Sequence, residues 1–274
     1  MSSSTNSPAS PAQARNRPRS GRLRLLALLG IAVLPNVVKR PLYRWCFGYR
    51  ISPTARIGIA LLDCRSLAIG DATRVATGTA FLGCGDVRLG RHVSIGPLNL
   101  FRGGRLIALG DYAQVLRQNI VNAIPDHDCT NDPDSVFEMG FGAVMTAEHR
   151  VDFTARVSLG RRVTFGGRNS SIWTHNRRVG LPVEIGDYAY VGSEIRMAPG
   201  SAIPPFCIVG MGAVVTRHLT EAYSLIVGVP AKIRRPLDES DEELLYGKTR
   251  RDLPDEARPV RPPRPEPPPL EARP

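Results

Sequence analysis

The stretch that decides the fold is IGDYAYVGSEIRMAPGSAIPPFCIVGMGAVV, which runs from Ile185 to Val215. A large aliphatic or Met side chain returns at every sixth position: Ile185, Val191, Met197, Ile203, Val209 and Val215. A lone helix repeats about every 3.6 residues and a lone strand about every 2, so a period of six fits neither. It fits a coil with flat faces, in which each face takes one hexad. A second set of residues lies four positions after each of the first five: Ala189, Ile195, Ser201, Cys207 and Ala213. Four of these five are small, and a small side chain lets the corner of the coil close.

Weaker copies of the hexad lie upstream and extend the repeat over about residues 51–220. They fall into five runs: Ile69, Val75, Phe81 and Val87; Leu89, Ile95 and Phe101; Leu109, Val115 and Val121; Met145, Val151, Val157 and Val163; Leu159, Phe165 and Ser171. Hexapeptide repeats are typical of a β-helix. We therefore predict an all-β fold, a parallel β-helix solenoid over residues 51–236. A β-sandwich with regular hairpins is the alternative, and strict six-residue spacing disfavours it.

The positive charge of the chain is concentrated at its N-terminus. The formal net charge is +11, but residues 1–50 hold nine Arg or Lys and no Asp or Glu, so the other 224 residues carry only +2. This distribution argues against a nucleic-acid-binding body and indicates a basic N-terminal arm. The five cysteines are scattered and form no CxxC pair, which argues against a disulfide framework and favours a reducing compartment.

Both ends of the chain depart from the repeat. We predict a disordered basic tail over residues 1–22 and a C-terminal segment with a Pro-rich disordered tail over residues 237–274. Residues 23–50 are predicted to be an amphipathic helical segment, and its apolar run LRLLALLGIAVLP is too short to span a bilayer. Two interpretations stay open. Residues 15–50 lie on an anionic membrane face with Tyr43, Trp45 and Phe47 near the headgroups, or the helix caps the open end of the solenoid.

The C-terminal repeats resemble a known family. The segments PVEIGDYAYVGSEIRMAPGSAIPPFCIVGMGAVVTRHL and YSLIVGVPAKIRR are similar to the hexapeptide-repeat acyltransferases, and the resemblance covers about residues 34–236. Within that family, AEHRVDF, IWTHNRR and the entry LPNVVKRPLYRWCFGYRI look like the sugar O-acetyltransferases of surface-polysaccharide synthesis. The resemblance implies a left-handed parallel β-helix, acetyl-CoA as acyl donor, a sugar or glycan acceptor and a homotrimer. The reducing compartment that the cysteines favour predicts a cytoplasmic location, and residues 15–50 allow peripheral contact with the inner face of the membrane.

The chemistry of acyl transfer needs few groups. A sugar hydroxyl is a weak nucleophile, so a base must remove its proton as it attacks the thioester, and a donor must stabilise the oxyanion. The resemblance assigns the base to His175, in the TH pair after Trp173. It also marks His149, which is expected to orient His175, to bind the acceptor, or to serve the structure by hydrogen bonding. Asn119, Asp152 and Trp173 are the candidate acceptor-binding residues, and Asp152 could also fix a histidine tautomer.

The donor is expected along the edge of the C-terminal coils. The resemblance places its contacts at Ser193, Met211, Gly212, Thr216, Arg217, Pro230 and Lys232. Arg217, Lys232, Arg234 and Arg235 carry the charge that pairs with the phosphates of coenzyme A. Two residues depart from the family pattern, since Tyr190 stands where many relatives carry Trp and Met211 where many carry Ala.

Three other functions are compatible with this fold. An N-acyltransferase on a nucleotide amino sugar would use the same base, and a non-catalytic binding protein would keep the fold without turnover. A γ-class carbonic anhydrase needs three metal-binding histidines, and no H-x4-H pair occurs here, so we expect no metal. Residues 122–140 lack the hexad and are predicted to form a loop outside the coil, in which Asp126 and His127 are solvated.

Overall fold

The computed structural model describes residues 21–124 and 128–246. Outside this part of the chain lie residues 1–20 of the tail predicted over 1–22, residues 247–274 of the C-terminal segment predicted over 237–274, and Asp126 and His127. The described helices are α1 (Arg22–Ala32), α2 (Asn36–Phe47) and α3 (Glu239–Tyr246). The described strands are β1 (Arg50–Ile51), β2 (Arg56–Ile57), β3 (Leu61–Ile69), β4 (Arg74–Val75), β5 (Ala80–Leu89), β6 (Ser94–Ile95), β7 (Leu100–Arg102), β8 (Leu106–Leu109), β9 (Gln114–Arg117), β10 (Ile120–Asn122), β11 (Val136–Met139), β12 (Val144–Ala147), β13 (Arg150–Asp152), β14 (Val157–Leu159), β15 (Thr164–Arg168), β16 (Ser171–Ile172), β17 (Val183–Ile185), β18 (Tyr190–Val191), β19 (Arg196–Met197), β20 (Ala202–Ile203), β21 (Ile208–Val209), β22 (Val214–Val215), β23 (Ser224–Val227) and β24 (Lys232–Pro236).

The strands stack into three faces of a coil. The first face contains β8, β11, β14, β17 and β20, the second β2, β4, β6, β9, β12, β15, β18, β21 and β23, and the third β7, β10, β13, β16, β19 and β22. The long strand β5 belongs to two faces: its first residues pair with β7 and its last residues pair with β8, both in the next coil, and β3 pairs with it from the preceding coil. The result is a β-solenoid of about nine turns built from parallel strands, which confirms the predicted fold class.

The core of the solenoid is built from the hexad positions. All six large residues from Ile185 to Val215 are at most 2% exposed, and the small set that follows them is buried as well. Each buried Val or Ile side chain stabilises the fold by about 1.5–3 kcal/mol. Because each face takes one such side chain per coil, the six-residue period is the spacing from one face to the next.

The number of residues per coil varies along the chain. Val191 pairs with Val209, so this C-terminal coil takes 18 residues, which are three hexads. The upstream coil from Ile57 to Val75 also takes 18, and the next two coils, from Val75 to Ile95 and from Ile95 to Val115, take 20. The coil from Val115 to Met145 takes 30 residues and the coil from Phe165 to Val191 takes 26. The extra residues explain why the upstream hexads fall into separate, shifted runs.

Close packing of successive coils restricts some corner positions to glycine. A Cβ atom added to Gly96 would overlap the carbonyl oxygen of Leu116 in the next coil. Backbone atoms cannot yield as a flexible side chain can, so this corner requires glycine for steric reasons rather than for its φ angle.

The N-terminal helices lie against the first coil. The Arg24 side chain pairs with Asp63 at 2.9 Å. The Lys39 ammonium is buried and donates to the carbonyls of Ala32 and Gly58, at 2.7 and 2.9 Å. These bonds attach both helices to the end of the solenoid, as the cap interpretation requires. At the other end, the antiparallel pair β23–β24 and helix α3 lie on the last coil, where Leu237 and Leu245 pack with Ile208.

The three aromatic residues that were expected near lipid headgroups are placed differently from one another. Tyr43 is fully buried in the core, and Phe47 packs partly buried against it. Trp45 is 85% exposed. The expectation was therefore wrong for Tyr43, because α2 turns this side chain toward the first coil.

Candidate active site

Two insertions of the chain meet at one corner of the solenoid. One insertion follows β10 and the other follows β16. Both lie at the corner where the third face turns into the first, and we call this corner the site corner. Their backbones are joined through Asn131, whose amide side chain donates to the Gly180 carbonyl at 2.6 Å and accepts from the Gly180 amide at 2.9 Å. Because β13 lies between β10 and β16, the end of β13 lies between the two insertions.

The site corner brings His175 and Asp152 together. Asp152 is the last residue of β13, and His175 follows β16 by three positions. The imidazole Nδ1 lies 2.7 Å from Asp152 Oδ2. A carboxylate only accepts hydrogen bonds, so the proton of this contact belongs to Nδ1 and the lone pair of the neutral ring is on Nε2. The His175 side chain keeps 19% of its surface exposed. This is the geometry of a histidine positioned to act as a base.

Asp152 is itself held by a set of donors. Oδ2 accepts from the amide and the hydroxyl of Thr174, at 3.0 and 2.8 Å. Oδ1 accepts from the Thr154 hydroxyl at 2.6 Å. Burial alone would raise the pKa of Asp152, but the hydrogen bonds from Thr154, Thr174 and His175 outweigh it, so this pKa lies below its ordinary value. The carboxylate is thus charged and fixed in orientation at neutral pH.

Sequence reasoning missed the two threonines that hold Asp152. Thr154 and Thr174 are both fully buried. Thr154 lies two residues after Asp152, and Thr174 lies one residue after Trp173. A buried hydroxyl needs a partner, and the nearby carboxylate is the partner here. A threonine adjacent to the histidine and another two residues after the aspartate are the signals that could have identified this network.

Trp173 lies beside the pair, at the start of the second insertion. Trp173 is 50% exposed. Leu181 and Ile124, which are 39% and 37% exposed, add apolar surface from the two insertions. The site corner therefore combines a polar dyad with exposed apolar side chains.

His149 is placed away from solvent. Its side chain is fully buried, its Nδ1 accepts from the Ser170 amide at 3.2 Å, and its Nε2 lies 2.9 Å from Thr146 Oγ1. Burial lowers the pKa of His149 to about 4, and a hydrogen bond to the Phe165 carbonyl opposes this shift only in part. The ring is neutral and both of its nitrogens are in use. Of the three roles expected for His149, this geometry favours the structural one.

Asn119 belongs to the same corner as His149. The His149 amide donates to Asn119 Oδ1 at 2.9 Å, and the Asn119 amide donates to Asn99 Oδ1 at 3.0 Å. Asn119 Nδ2 donates to Asn99 Oδ1 and to the Thr146 carbonyl. Successive coils each place one polar side chain at this corner. We call these four residues the corner ladder: Asn99, Asn119, His149 and Ser170. Asn119 is fully buried in this ladder, so the structure does not place it where it would contact an acceptor.

The residues expected to bind the donor lie at both edges of the third face. Thr216 follows β22 in register with Trp173, so it lies at the site corner, and Arg217 comes next. Ser193 and Gly212 precede β19 and β22, at the opposite corner, where the Gly212 amide donates to the Ser193 carbonyl. The remaining members of the set are Met211, which is 76% exposed, Pro230, which follows a cis peptide bond, and Lys232, which begins β24. A single copy of the chain therefore does not bring all seven residues together.

The cations expected to bind phosphate also differ from one another. Arg235 pairs with Asp241 at 2.5 Å and with Asp238 at 3.4 Å, and these hydrogen bonds and charges raise its pKa. Arg217, Lys232 and Arg234 are exposed, and the structure records no ion pair for them within the described residues. Arg235 is thus engaged in attaching α3, and the other three are available to an anion.

Two further features of the described residues bear on function. Over residues 21–124 and 128–246, no group of three or more His, Cys, Asp or Glu side chains could hold a metal ion. A surface groove follows the first face and is lined by residues from Arg88 to Thr220, none of which is a predicted site residue.

Comparison with known proteins gives similar proteins but no family model. No family model matches the sequence. A Mycobacterium tuberculosis protein named "Probable acetyltransferase Rv3034c" is 26% identical over 170 residues, which are 58% of this chain and 50% of that protein. A Schizosaccharomyces pombe protein that is also named for acetyltransferase activity is 34% identical over 93 residues, which are 34% of this chain and 36% of that protein. The chain is similar to hexapeptide-repeat acetyltransferases.

Solved structures that align with part of this chain carry names of the same kind. The polySia-specific acetyltransferase NeuO aligns with 69% of this chain and 81% of its own, at 12% identity and a TM-score of 0.43. The polysialic acid O-acetyltransferase OatWY aligns with 69% of this chain and 84% of its own, at 16% identity and a TM-score of 0.42. The chain spans about half the length of the mycobacterial relative and about a third of the yeast relative.

Proposed function

We propose that this protein is an O-acetyltransferase that moves an acetyl group from acetyl-CoA to a hydroxyl of a sugar or a surface-polysaccharide precursor. The observation that carries the proposal is the 2.7 Å contact between His175 Nδ1 and a buried, charged Asp152. Acetyl transfer to a hydroxyl needs one positioned base, and this pair provides it. The acetyltransferase names of the sequence relatives support the same class of reaction.

The reaction follows from the tautomer of His175. Because Nδ1–H donates to Asp152, the lone pair of the ring is on Nε2. Nε2 accepts the proton of the acceptor hydroxyl while the hydroxyl oxygen attacks the carbonyl carbon of the thioester. The C–S bond of the tetrahedral intermediate then breaks, the acetyl group stays on the acceptor oxygen, and the proton on Nε2 passes to the leaving sulfur. Asp152 stabilises the imidazolium that exists between the two proton transfers. The exposed ring of Trp173 would pack against the acceptor beside the base.

The donor would lie along the third face, with its phosphates near Arg217, Lys232 and Arg234. Ser193 and Gly212 lie at the opposite corner of this face from His175, as described above. A second copy packed beside the first would bring its opposite corner next to the site corner of its neighbour, so the two halves of the donor site would come from different subunits. A site shared between subunits supports an oligomer, and the family resemblance gives its number, so we propose a homotrimer. A concentration-independent monomer in light scattering would contradict it. The scattered cysteines support a cytoplasmic location.

The test is the consumption of acetyl-CoA by wild-type protein and by His175→Ala, over a panel of nucleotide sugars and glycans. Loss of the base should lower the rate by about 10²–10⁴-fold and leave donor binding nearly unchanged. His92→Asn is the matched control, since His92 is an exposed corner histidine stacked on Tyr112. Equal rates for wild type and His175→Ala would exclude His175 as the base. Turnover only with amino sugars would indicate that the protein is an N-acetyltransferase rather than an O-acetyltransferase. Donor binding without turnover would indicate a binding protein.

A further inference from the structure

Helix α1 exposes apolar side chains on the side that faces away from the solenoid. Its inner side holds Leu28 and Ile31, which are buried in the core. Its outer side holds Leu23, Leu26 and Leu29, which are 84%, 65% and 51% exposed. One apolar side suffices for a helix that packs on a protein, and a helix that is apolar all round is normally buried on every side.

The apolar surface continues beyond α1 onto α2. Val33 and Val37 are 64% and 72% exposed, and Trp45 is 85% exposed. We call Leu23, Leu26, Leu29, Val33, Val37 and Trp45 the outer face of the N-terminal helices. Six exposed apolar side chains on two consecutive helices indicate an interaction site, whereas single exposed apolar residues are ordinary.

The charge around the outer face identifies its partner. Arg22, Arg44 and Arg50 are exposed on the same segment, and Arg15, Arg17 and Arg19 precede α1 in the sequence. No Asp or Glu occurs in residues 1–50. An apolar helical face bordered only by positive charge matches an anionic bilayer, in which acyl chains accept the leucines and phosphate headgroups accept the arginines. A second copy of the chain would bring another all-positive segment against this one.

The attachment of the helices to the solenoid fixes the orientation of this face. Arg24 and Lys39 point inward. Arg24 pairs with Asp63 and Lys39 donates to backbone carbonyls, so neither side chain is available to headgroups. Within the described residues no helix is long and apolar enough to cross a bilayer, and α1 has 11 residues. The contact would therefore be one of a helix lying along the surface.

We propose that the outer face of the N-terminal helices docks the protein onto an anionic lipid surface. Docking by α1 and α2 holds the N-terminal end of the solenoid at the membrane, and the two tasks of the helices, capping and docking, use opposite sides of α1. The inference does not depend on the acetyltransferase activity.

The test is sedimentation of the full chain with vesicles of phosphatidylcholine and phosphatidylglycerol, against vesicles of phosphatidylcholine alone. Wild type should bind the mixed vesicles, with a partition coefficient that falls as salt increases. Leu26→Ser and Trp45→Ser should each lower that coefficient about tenfold, because each removes a large apolar side chain from the contact. Leu98→Ser, an equally exposed leucine at a corner of the solenoid, is the matched control.

Folding and location of the contact can be read separately. Circular dichroism should be unchanged in Leu26→Ser and Trp45→Ser, since both side chains are exposed. Trp45 and Trp173 are the two tryptophans of the chain, so Trp173→Phe leaves Trp45 alone, and its emission should shift to the blue on addition of mixed vesicles. Absence of wild-type binding, or equal binding of Leu26→Ser, would overturn the proposal. Self-association of wild type that Leu26→Ser abolishes, without vesicle binding, would assign the face to a second copy instead.

Discussion

Acidification should destabilise this protein through His149. The ring is fully buried in the corner ladder, and its pKa of about 4 in the folded state compares with 6.5 for an ordinary histidine. The unfolded chain therefore binds a proton at this site below pH 6.5, and the folded chain does so only near pH 4. Stability is highest above pH 6.5 and falls as the pH decreases between these values, because the unfolded state binds more protons.

The magnitude follows from the two pKa values. The gap between them corresponds to about 3 kcal/mol for the whole interval, and about 2 kcal/mol of this is lost between pH 7 and pH 5. Since domains are typically stable by about 5–15 kcal/mol, the change is a large fraction of the total. Other groups titrate in the same range, so the effect has to be measured as a difference.

The comparison variant is His149→Asn. Asn occupies the equivalent places of the corner ladder at Asn99 and Asn119, where its side chain both donates and accepts. Denaturant unfolding of both proteins at fixed protein concentration, at pH 7, 6 and 5, gives the difference in free energy at each pH. Wild type should lose about 2 kcal/mol more than His149→Asn between pH 7 and pH 5. Parallel pH dependences, or an NMR titration of the His149 ring near 6.5 in the folded protein, would refute the reasoning.

Two other substitutions test the site and the coil. Asp152→Asn should lower the turnover rate about 10²–10⁴-fold, because an amide can donate to Nδ1 and favour the wrong tautomer of His175; Asp111→Asn, in an exposed pair with Arg91, is its control in the same acetyl-CoA assay. An unchanged rate would remove Asp152 from the mechanism. Gly96→Ala should destabilise the fold by about 3 kcal/mol or more, since its Cβ meets the Leu116 carbonyl. Gly83→Ala, with φ of +57° and no neighbour within 4 Å, should cost only about 1 kcal/mol in thermal or denaturant unfolding, and equal losses in the two variants would contradict this steric explanation.

The repeat could be predicted because it depends on one-dimensional spacing. Val191 and Val209 lie on the same face of neighbouring coils for the same reason that they are three hexads apart. Upstream, extra corner residues interrupt the six-residue spacing. The spacing therefore places Val157 and Leu159 in separate runs, although both lie in β14. The corner insertions leave the stacking intact, and a six-residue pattern alone cannot show where such residues are accommodated.

The candidate site was only partly predictable. His175 and Asp152 were chosen through a resemblance, and their contact depends on two strands, β13 and β16, being neighbours in the third face. His149 and Asn119 could not be distinguished from site residues by sequence, because a buried ladder and a binding site both favour polar side chains at regular positions. Burial of both side chains favours a structural role, and burial depends on which side of the corner each side chain takes.

The two insertions emerge from nearby coils at a single corner. In a solenoid each coil depends mainly on its immediate neighbours, so its stability adds up coil by coil. Coils could therefore be gained or lost elsewhere in the stack without moving Asp152 relative to His175. Among the described residues of the insertions, only Ala123 belongs to the core cluster. Apart from Ala123, Thr174 and His175, the insertions can therefore change in length and sequence without disturbing the core or the base. Selection on the range of acceptors and selection on the stability of the fold would thus act on separate parts of the chain.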